Sequence, residues 1–259
     1  MVDIHSHVLP GVDDGSKSME ETLKMLKLTK MDGIDTIVAT PHFYRGYYEN
    51  NYEDMQELKE QVEAEVQKEN IGIDIVMGQE IFLDKHTLDD YKCGRIRCIE
   101  KTNYMLVELP MTFMPKDALD IIYELQIKGV RPILAHPERY RYIMDEPSKI
   151  NQFLHEGCFI QINTGSVKGL FGKKVKKTAE ILIKNKVCSF IASDTHSTGR
   201  RIPGISEALE IACEFDSNIC EKVKNNCKKV LNNEFIELPS SRIRERKSIF
   251  QFLKIKSTI

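Results

Sequence analysis

Seven short runs of apolar residues alternate along the chain with longer stretches of amphipathic helical pattern, and this alternation limits the possible folds more than any other feature. The runs lie at residues 2–4, 36–39, 73–77, 104–107, 132–135, 159–162 and 189–192. Most are rich in Ile and Val, which is typical of parallel strands buried on both faces. The pattern therefore predicts an α/β fold, with a parallel sheet wrapped by helices. A closed or nearly closed seven-stranded barrel fits the number of strands, and an open doubly wound sheet is the alternative.

Local capping signals indicate where the intervening helices begin and end. Ser18-Met19-Glu20-Glu21 resembles a capping box, and Gly33 is suited to ending the helix that follows. Pro115 fits the first turn of a later helix, which Gly129 would end. Further helical patterns cover residues 52–69, 147–157, 173–186, 206–215 and 218–231.

Length and composition narrow the class of protein. A chain of 259 residues fits one large α/β domain. The net charge of −2 gives no sign of a nucleic-acid partner. Seven cysteines without a C-x-x-C pair predict reduced thiols rather than a secreted disulfide framework. No apolar run approaches the roughly 18 residues of a membrane span, and no signal peptide is apparent, so a cytoplasmic protein is expected.

The C-terminal segment has a different composition from the rest of the chain. From Ser241 onwards it contains six basic residues against the single acidic Glu245, a net charge of about +5. We therefore divide the chain into a body of residues 1–238 and a basic extension of residues 239–259. The extension is either a solvated tail or a surface that meets an anionic membrane or an acidic partner.

Side chains able to bind metal follow six of the seven predicted strands. They are His5 and His7 after the first, His42 after the second, Glu80 after the third, Glu108 after the fourth, His136 after the fifth, and Asp194 and His196 after the last. In parallel α/β folds the carboxyl ends of the strands are where sites are built. These residues are thus expected to meet at one end of the fold.

Each of these residues has an ordinary explanation when it is taken alone. A single His after a strand is usually a hydrogen-bonded structural residue, and a single Asp can cap a helix. Five of the seven histidines, however, fall in this one pattern, while His86 and His155 are read as surface or packing residues. Imidazole with carboxylate suits Zn, Mn or Fe. Carboxylates can also bridge paired metals, which activate water and hold the oxygens of an in-line displacement.

Arginines close to two of these segments indicate an anionic substrate. Arg139 follows His136 by three residues, and Arg200 and Arg201 follow His196. A guanidinium binds phosphate oxygens in a bidentate manner, although surface arginines are the alternative reading. The chain lacks the C-x5-R, P-loop and G-x-S-x-G motifs of other phosphatase and hydrolase chemistries. Hydrolysis of a phosphate ester by metal-activated water is the remaining interpretation.

At these residues the chain resembles the PHP (polymerase and histidinol phosphatase) superfamily. It is most similar to the bacterial PHP-type tyrosine-protein phosphatases of capsule and exopolysaccharide gene clusters. The motifs that carry the resemblance are Asp3-Ile4-His5-Ser6-His7, Asp13-Asp14-Gly15, Thr40-Pro41-His42, Gly78-Gln79-Glu80-Ile81, Glu108, Ala135-His136-Pro137-Glu138-Arg139-Tyr140 and Ala192-Ser193-Asp194-Thr195-His196. They extend over nearly the whole body of the chain.

The resemblance implies a distorted seven-stranded (β/α)7 barrel of the PHP type over residues 1–238, with three metals that are commonly manganese; iron or zinc are alternatives. The implied ligand sets are His5, His7, Glu80 and Asp194; Glu80, Glu108 and His136; and Asp14, His42 and His196. Asp14 is included among the ligands only because the resemblance implies it. Arg139 and Arg201 match the phosphate-binding arginines of the family, with Arg200 left open as a substitute for Arg201.

The resemblance also implies a substrate, the phosphotyrosine-rich tail of a bacterial tyrosine autokinase that controls polysaccharide export. Membrane contact would then come only through that partner or through the basic extension. A small-molecule phosphatase, for example one acting on histidinol phosphate, or a nuclease could use the same ligands. The alternative from a different class is a binding module whose metals are structural and which docks through its basic tail.

Overall fold

Ten strands and ten α-helices alternate through residues 1–244, which are the residues that the computed structural model describes. The strands are β1 (Val2–Ser6), β2 (Thr36–Ala39), β3 (His42–Tyr44), β4 (Tyr48–Glu49), β5 (Asp74–Met77), β6 (Glu80–Phe82), β7 (Tyr104–Glu108), β8 (Arg131–Leu134), β9 (Phe159–Asn163) and β10 (Phe190–Ala192). The helices are α1 (Met19–Met31), α2 (Tyr52–Lys68), α3 (Thr87–Lys92), α4 (Ala118–Ile127), α5 (Arg141–Asp145), α6 (Ile150–His155), α7 (Thr164–Lys168), α8 (Lys173–Lys184), α9 (Ile205–Cys213) and α10 (Ile219–Leu231). Each of the seven predicted strands overlaps an observed one.

Strand pairing is parallel except at one short hairpin. A three-stranded sheet has the order β1-β2-β5, and a seven-stranded sheet has the order β10-β9-β8-β7-β6-β3-β4, in which only β4 is antiparallel to its neighbour. A bridge between Ser6 and Thr195 links the end of β1 to the segment after β10. The predicted α/β class with parallel strands is confirmed. The pairing differs from a continuous barrel because it is divided between two sheets.

The division between sheets arises at two interrupted strands. Thr40-Pro41 separates β2 from β3, and Gly78-Gln79 separates β5 from β6. Proline has no N–H to donate to a sheet ladder, so strand pairing is interrupted at Pro41. The first half of each strand pairs in the small sheet and the second half in the large one. His42 and Glu80 begin the second halves, so these breaks place two predicted ligands side by side.

Helix α8 shows how the helices cover the sheet. Its buried residues are Val175, Thr178, Ala179, Leu182 and Ile183, which follow the i, i+3, i+4 spacing of one helical face. Full burial of Leu182 and Ile183 stabilises the fold by roughly 1.5–3 kcal/mol each. The lysines of the helix occupy the other positions and form the solvated face.

Helix α1 begins and ends as the local signals predict. The Ser18 side chain accepts a hydrogen bond from the Glu21 N–H, which satisfies one of the free donors at the helix start. The Glu21 carboxylate accepts from the Lys17 N–H at 2.9 Å, a variation on the predicted capping box. Gly33, with φ of +81°, lies just beyond the last turn.

Two features near the C-terminus bear on the sequence predictions. Cys213 and Cys220 form a disulfide between α9 and α10, so the prediction of reduced thiols is wrong for this pair. Asn151 of α6 exchanges two hydrogen bonds with the backbone of Ile243, whose side chain is buried. The chain thus packs against the body beyond residue 238, while residues 245–259, which carry most of the predicted tail charge, lie outside the described residues. Among residues 1–244, no helix is both long enough and apolar enough to cross a membrane.

Candidate metal centre

The structure brings all nine predicted ligand residues together at the carboxyl ends of the strands. His5 lies in β1, His42 begins β3, Glu80 begins β6 and Glu108 ends β7, while His7, Asp14, His136, Asp194 and His196 lie in the loops after β1, β8 and β10. Parallel strands direct these ends to the same side of the fold. That the residues bind metal remains a prediction, and the distances between their donor atoms show how well they are arranged for it.

The most enclosed group joins the ends of β1, β6 and β10. The Nε2 atoms of His5 and His7 are 3.2 Å apart. They lie 3.3 and 3.2 Å from Glu80 Oε2, and 3.4 and 3.5 Å from Asp194 Oδ1. All four side chains are essentially inaccessible to solvent. The donor atoms of His5, His7 and Glu80 thus form one group that could hold a metal ion, and Asp194 groups with His5 and His136.

Two further groups adjoin the first. His136 Nε2 is 2.8 Å from Glu80 Oε1 and 3.6 Å from Glu108 Oε1. On the other side, Asp14 Oδ1 lies 3.3 Å from His42 Nε2 and 3.2 Å from His196 Nε2. The donor atoms do not divide uniquely into the sets that the resemblance implied, because His7 also groups with Asp14, His42 and His196, and His42 groups with Glu80 and Glu108. Glu80 contacts both the first group and His136, so its carboxylate could contribute to holding more than one ion.

The backbone at two of these residues is in an uncommon conformation. His136 has φ of +34° and Asp194 has φ of +51°, both in the left-handed region that non-glycine residues rarely adopt. Such conformations cost on the order of 1–3 kcal/mol and are concentrated at functional sites. Here they occur two residues after the ends of β8 and β10, at two residues whose side chains lie in the group of ligands.

The ligand group contains buried ionisable side chains whose pKa values are shifted from their ordinary values. Burial, together with the nearby carboxylates of Glu80 and Asp194, raises the pKa of Glu108 well above its ordinary value. Burial lowers the pKa of His196 to about 4, aided by the positive charge of His7. Burial and the Arg139 charge likewise lower the pKa of His136 to about 4. These two imidazoles are therefore neutral at physiological pH, as ligation requires. Nearby carboxylates instead raise the pKa of His5 and His7 against the effect of burial, so these two imidazoles carry positive charge that offsets the carboxylates.

Unpaired buried atoms support the fit to a metal. Within residues 1–244, Asp194 Oδ1 and His196 Nε2 are buried and form no hydrogen bond of regular geometry, although other donor atoms of the group lie 3.2 to 3.5 Å away. Buried polar atoms almost always have partners, so such atoms point to an absent ion or water. The donors are imidazole nitrogens and carboxylate oxygens without thiolates, a set that suits Mn, Fe or Zn. The residues present thus fit a cluster of divalent metals.

Three residues that spacing did not predict hold the ligands in place. Asp13 Oδ2 lies 2.8 Å from His7 Nδ1, and Gln161 Oε1 lies 3.0 Å from His5 Nδ1. Asn163 donates a hydrogen bond from its side-chain amide to Asp194. Such partners fix the orientation of metal ligands, and losing one typically costs 10–100-fold in metal affinity or activity. Strand β9, the sixth of the seven predicted strands, therefore supplies no ligand but carries Gln161 and Asn163, two residues apart on one face, beside His5 and Asp194.

The loop that carries Asp13 and Asp14 depends on a close approach of the backbone. A Cβ atom at Gly15 would lie 2.2 Å from the carbonyl oxygen of His7, so only glycine fits there. The Gly15 N–H in turn donates to Asp13 Oδ1 at 2.8 Å. This contact folds the loop over His7 and places Asp14 next to His42 and His196.

The two arginines assigned to phosphate both contact Asp194. Arg139 Nη1 is 3.3 Å from Asp194 Oδ2, and Arg201 Nη2 forms an ion pair with the same oxygen. Their side chains are 22% and 23% exposed, so each reaches the ligand group while remaining accessible from solvent. Arg139 is also stacked on the Phe171 ring, with 4.7 Å between Cζ and the ring centroid. Arg200 is exposed.

Glu138 is a buried acid beneath the site that belongs to none of the ligand groups. It is inaccessible to solvent, and its Oε1 accepts a hydrogen bond from the Asn163 N–H at 2.9 Å. Burial raises the pKa of Glu138 from 4.5 to about 7. The folded protein therefore holds a proton on this group, between pH 4.5 and 7, that the unfolded chain releases.

This difference predicts a pH dependence of stability. The contribution of Glu138 should be present below about pH 4.5 and should be lost as the pH rises to about 7, by on the order of 3 kcal/mol at about 1.4 kcal/mol per pH unit. Glu138→Gln, which cannot ionise, should remove it. Urea unfolding of chelated wild type and variant at pH 5 and 7.5 measures the effect. Equal changes in unfolding free energy for the two proteins would contradict the prediction.

The fold and this site define an α/β protein with a cluster of possible metal ligands and two arginines beside it. Residues 1–232 match the family described as capsular polysaccharide synthesis, CpsB/CapC. The chain belongs to the CpsB/CapC family.

Relatives and solved structures agree with this assignment. The chain is 33% identical to the tyrosine-protein phosphatase YwqE of Bacillus subtilis over 97% of this chain and 100% of that protein. It is 31% identical to the tyrosine-protein phosphatase CpsB of Streptococcus pneumoniae, over 82% and 89%. A structure from a study of YwqE and CpsB as "unique metal-dependent tyrosine phosphatases" superposes with a TM-score of 0.91 at 33% identity, covering 95% of this chain and 100% of that chain. A histidinol phosphate phosphatase of Lactococcus lactis, with a TM-score of 0.50 and 14% identity over 93% and 96% of the two chains, shares the fold alone.

Proposed function

We propose that this protein is a metal-dependent protein-tyrosine phosphatase. The observation that carries the proposal is the convergence of nine His, Asp and Glu side chains with two arginines at one end of the strands. The names of the relatives, all tyrosine-protein phosphatases, support the choice of substrate. Manganese is the preferred metal in this proposal, with iron and zinc as alternatives.

The arginines bind and orient the phosphoryl group. Arg139 and Arg201 approach the ligand group from its accessible side and now share Asp194 as a partner. An incoming phosphate presents more oxygens than one carboxylate, so each guanidinium can bind it in a bidentate manner. When bound, divalent metals would supply Lewis acidity and a nucleophile for hydrolysis near neutral pH. Arg139 and Arg201 would then stabilise the negative charge that develops on the phosphoryl oxygens.

The leaving group explains why the site needs no strong general acid for a tyrosine ester. Phenolate has a parent pKa near 10 and leaves more readily than an alkoxide. His136 and His196, whose pKa values burial lowers to about 4, carry no proton to donate at neutral pH. The better leaving group therefore favours hydrolysis of aryl phosphates over alkyl phosphates.

The biological partner in this proposal is a bacterial tyrosine autokinase of a capsule or exopolysaccharide system. Support comes from the family description and from the substrate class that the relatives' names state. The protein would act in the cytoplasm, and membrane contact would come only through the kinase or the basic extension. Residues 1–238 would form the phosphatase domain, in keeping with the family match over residues 1–232, and residues 239–259 the extension.

Phosphate release from a phosphotyrosine peptide tests the proposal. Chelated protein should be inactive, and titration with Mn²⁺ should restore activity, with Fe²⁺ and Zn²⁺ compared in parallel. We expect the phosphotyrosine peptide to be hydrolysed at least about tenfold faster than histidinol phosphate, because phenolate is the better leaving group. Thermal unfolding of each sample confirms that the chelated protein is folded. Faster release from histidinol phosphate would favour a small-molecule phosphatase, and no release at any metal level would favour a binding module with structural metals.

A further inference from the structure

Three aromatic side chains form a stack close to the predicted metal ligands. The stack begins two residues beyond those ligands along strands β3 and β6. The ring of Phe82 is stacked on that of Tyr44, with centroids 4.0 Å apart and an interplanar angle of 17°. Tyr44 is in turn stacked on Tyr47, at 4.4 Å and 27°. We call these three residues the aromatic wall. Tyr47, its outermost member, is 73% exposed.

The strand register fixes the position of the wall relative to the ligands. Parallel pairing of β3 with β6 places His42 opposite Glu80, and Tyr44 and Phe82 each follow a ligand by two residues. Residues two apart on a strand share one face and lie about 6.6 Å apart along it. Tyr44 and Phe82 therefore stand on the ligand-bearing face, toward the open carboxyl ends of the strands. Phe82 is also in register with Glu108 of β7.

An ion pair and hydrogen bonds fix the position of the β3–β4 hairpin, which carries Tyr44 and Tyr47. Arg45, between Tyr44 and Tyr47, forms an ion pair with buried Asp90. The Asn50 side chain donates hydrogen bonds to the carbonyls of Val12 and His42 at 2.9 and 3.0 Å. These contacts attach both ends of the β3–β4 hairpin to the body. A preformed aromatic surface loses little conformational entropy when a ligand packs on it.

The turn at the tip of the hairpin brings the last ring onto the stack. The Tyr47 N–H donates to the Tyr44 carbonyl at 2.9 Å, and Gly46 has φ of +80°. This positive φ suits glycine in a four-residue turn. The turn reverses the chain so that Tyr47 lies against Tyr44.

We propose that the aromatic wall is the surface on which the phenyl ring of an aryl phosphate packs while its phosphoryl group lies at the ligands, making the site selective for aryl over alkyl esters. This inference rests on the proposed phosphatase function and names residues responsible for its substrate class. The ring of a phenyl ester is attached directly to the bridging oxygen. The ring must therefore lie close to the phosphorus, within about the 6.6 Å that separates residues two apart on a strand. Stacked or edge-on aromatic pairs provide a preference that an alkyl group does not match.

Binding of two phosphonates to manganese-loaded protein tests the wall without requiring turnover. Phenylphosphonate and methylphosphonate share the anionic group and differ in the ring. Calorimetry on the wild type should show at least about tenfold tighter binding of phenylphosphonate. Tyr47→Ala and Tyr44→Leu should each weaken phenylphosphonate binding about 3–10-fold and leave methylphosphonate unchanged within about twofold. The double variant should lose most of the preference.

Matched controls separate ring contact from other effects. Tyr44→Phe and Tyr47→Phe keep the rings and should retain the preference. Tyr123→Ala removes a tyrosine from α4 that is also highly exposed, 55% by area, and should have no effect. Thermal unfolding should be unchanged in Tyr47→Ala because its side chain is mostly solvated.

Three outcomes would overturn the inference. The first is that the wild type binds both phosphonates equally. The second is that the wall variants weaken the binding of both phosphonates to the same extent. The third is that Tyr47→Ala impairs only the hydrolysis of a whole phosphoprotein, which would make the hairpin a protein-docking surface. Failure of the proposed function is a different result. In that case phosphotyrosine peptide would not be hydrolysed, while the preference for phenylphosphonate and its loss in the variants would still be observed.

Discussion

Replacing Asp194 with Asn is expected to lower phosphatase activity at least about 100-fold while the protein remains folded. Outer partners of metal ligands are already worth 10–100-fold, so loss of a ligand that also contacts both arginines should cost more. Asp194 Oδ1 faces His5 and His7, while Oδ2 faces Arg139 and Arg201. His5 and Arg201 hold the pKa of Asp194 well below its ordinary value against the effect of burial, so its charge is present at all working pH values. The Asn amide removes that charge and leaves the volume unchanged.

Asn is also the substitution that best preserves the backbone. Asp194 has φ of +51°, a conformation in which Asn and Asp are the most tolerated residues after glycine, whereas Ala would add strain. A loss of activity in Asp194→Asn can therefore be assigned to the carboxylate.

A second aspartate provides the control for this variant. Asp216 is 8% exposed and accepts a hydrogen bond from the Asn218 N–H at the start of α10. Asp216→Asn should keep wild-type activity and lose at most a small amount of stability. Activity on phosphotyrosine peptide, bound metal per chain and thermal unfolding should be measured for both variants. If Asp194→Asn kept more than a tenth of the activity at full metal content, the assignment of Asp194 as a ligand would be wrong.

The positions of most site residues could be predicted because strand ends are the most regular feature of such a fold. Each apolar run is short and bounded, so the residue that ends it is known to within one or two positions. Parallel pairing then brings those ends together without further information about long-range contacts. His5 and Glu108 are of this kind and lie in the last two residues of their strands, and His136 lies two residues after the end of β8.

Residues held by loop geometry or by buried hydrogen bonds had no such signal. Asp14 reaches His42 and His196 only because Gly15 lets the loop fold onto His7, a contact that spacing does not encode. Gln161 lies within the predicted strand at 159–162 and Asn163 directly follows it, but their partners, His5 and Asp194, lie far away in the sequence. Long-range partners of this type require three-dimensional coordinates.

The strands missed by sequence analysis were too short to show periodicity. β3, β4 and β6 contain three, two and three residues. An alternating pattern needs at least four residues to be recognised. Yet β3 and β6 place His42 and Glu80 side by side, and β4 completes the hairpin that carries Tyr47. The disulfide between Cys213 and Cys220 was missed for a related reason, since cysteine pairing cannot be deduced from sequence alone.

Arg201→Ala is expected to lower kcat/KM for phosphotyrosine peptide by about 100–1000-fold, the usual cost of removing one donor to a charge that develops in the transition state. Arg200→Ala should remain within about twofold of wild type. The two residues are adjacent and equally charged, so long-range attraction of an anionic substrate is nearly the same for both. The two arginines differ in position. Of the two, Arg201 contacts Asp194 and lies 4.0 Å from Asp14 in the described residues.

The backbone explains why Arg201 rather than its neighbour faces the site. The Arg201 carbonyl accepts hydrogen bonds from the His196 N–H and the Thr195 hydroxyl, both at 2.9 Å. These bonds close the loop that begins at the last ligands and hold residue 201 beside them. Arg200 lies at the exposed tip of the same loop. The pair therefore forms an internal control in which charge is constant and placement differs.

Arg201→Lys extends the comparison to the shape of the cation. Lysine keeps the positive charge beside Asp194 but cannot bind two phosphate oxygens in parallel, so an intermediate loss of activity is expected. If the alanine variants lost equal activity, the arginines would act through general attraction, and the loss in both would diminish together as salt is raised. If only Arg200→Ala were impaired, the phosphate-binding role would belong to Arg200, and the loop would have to rearrange on substrate binding.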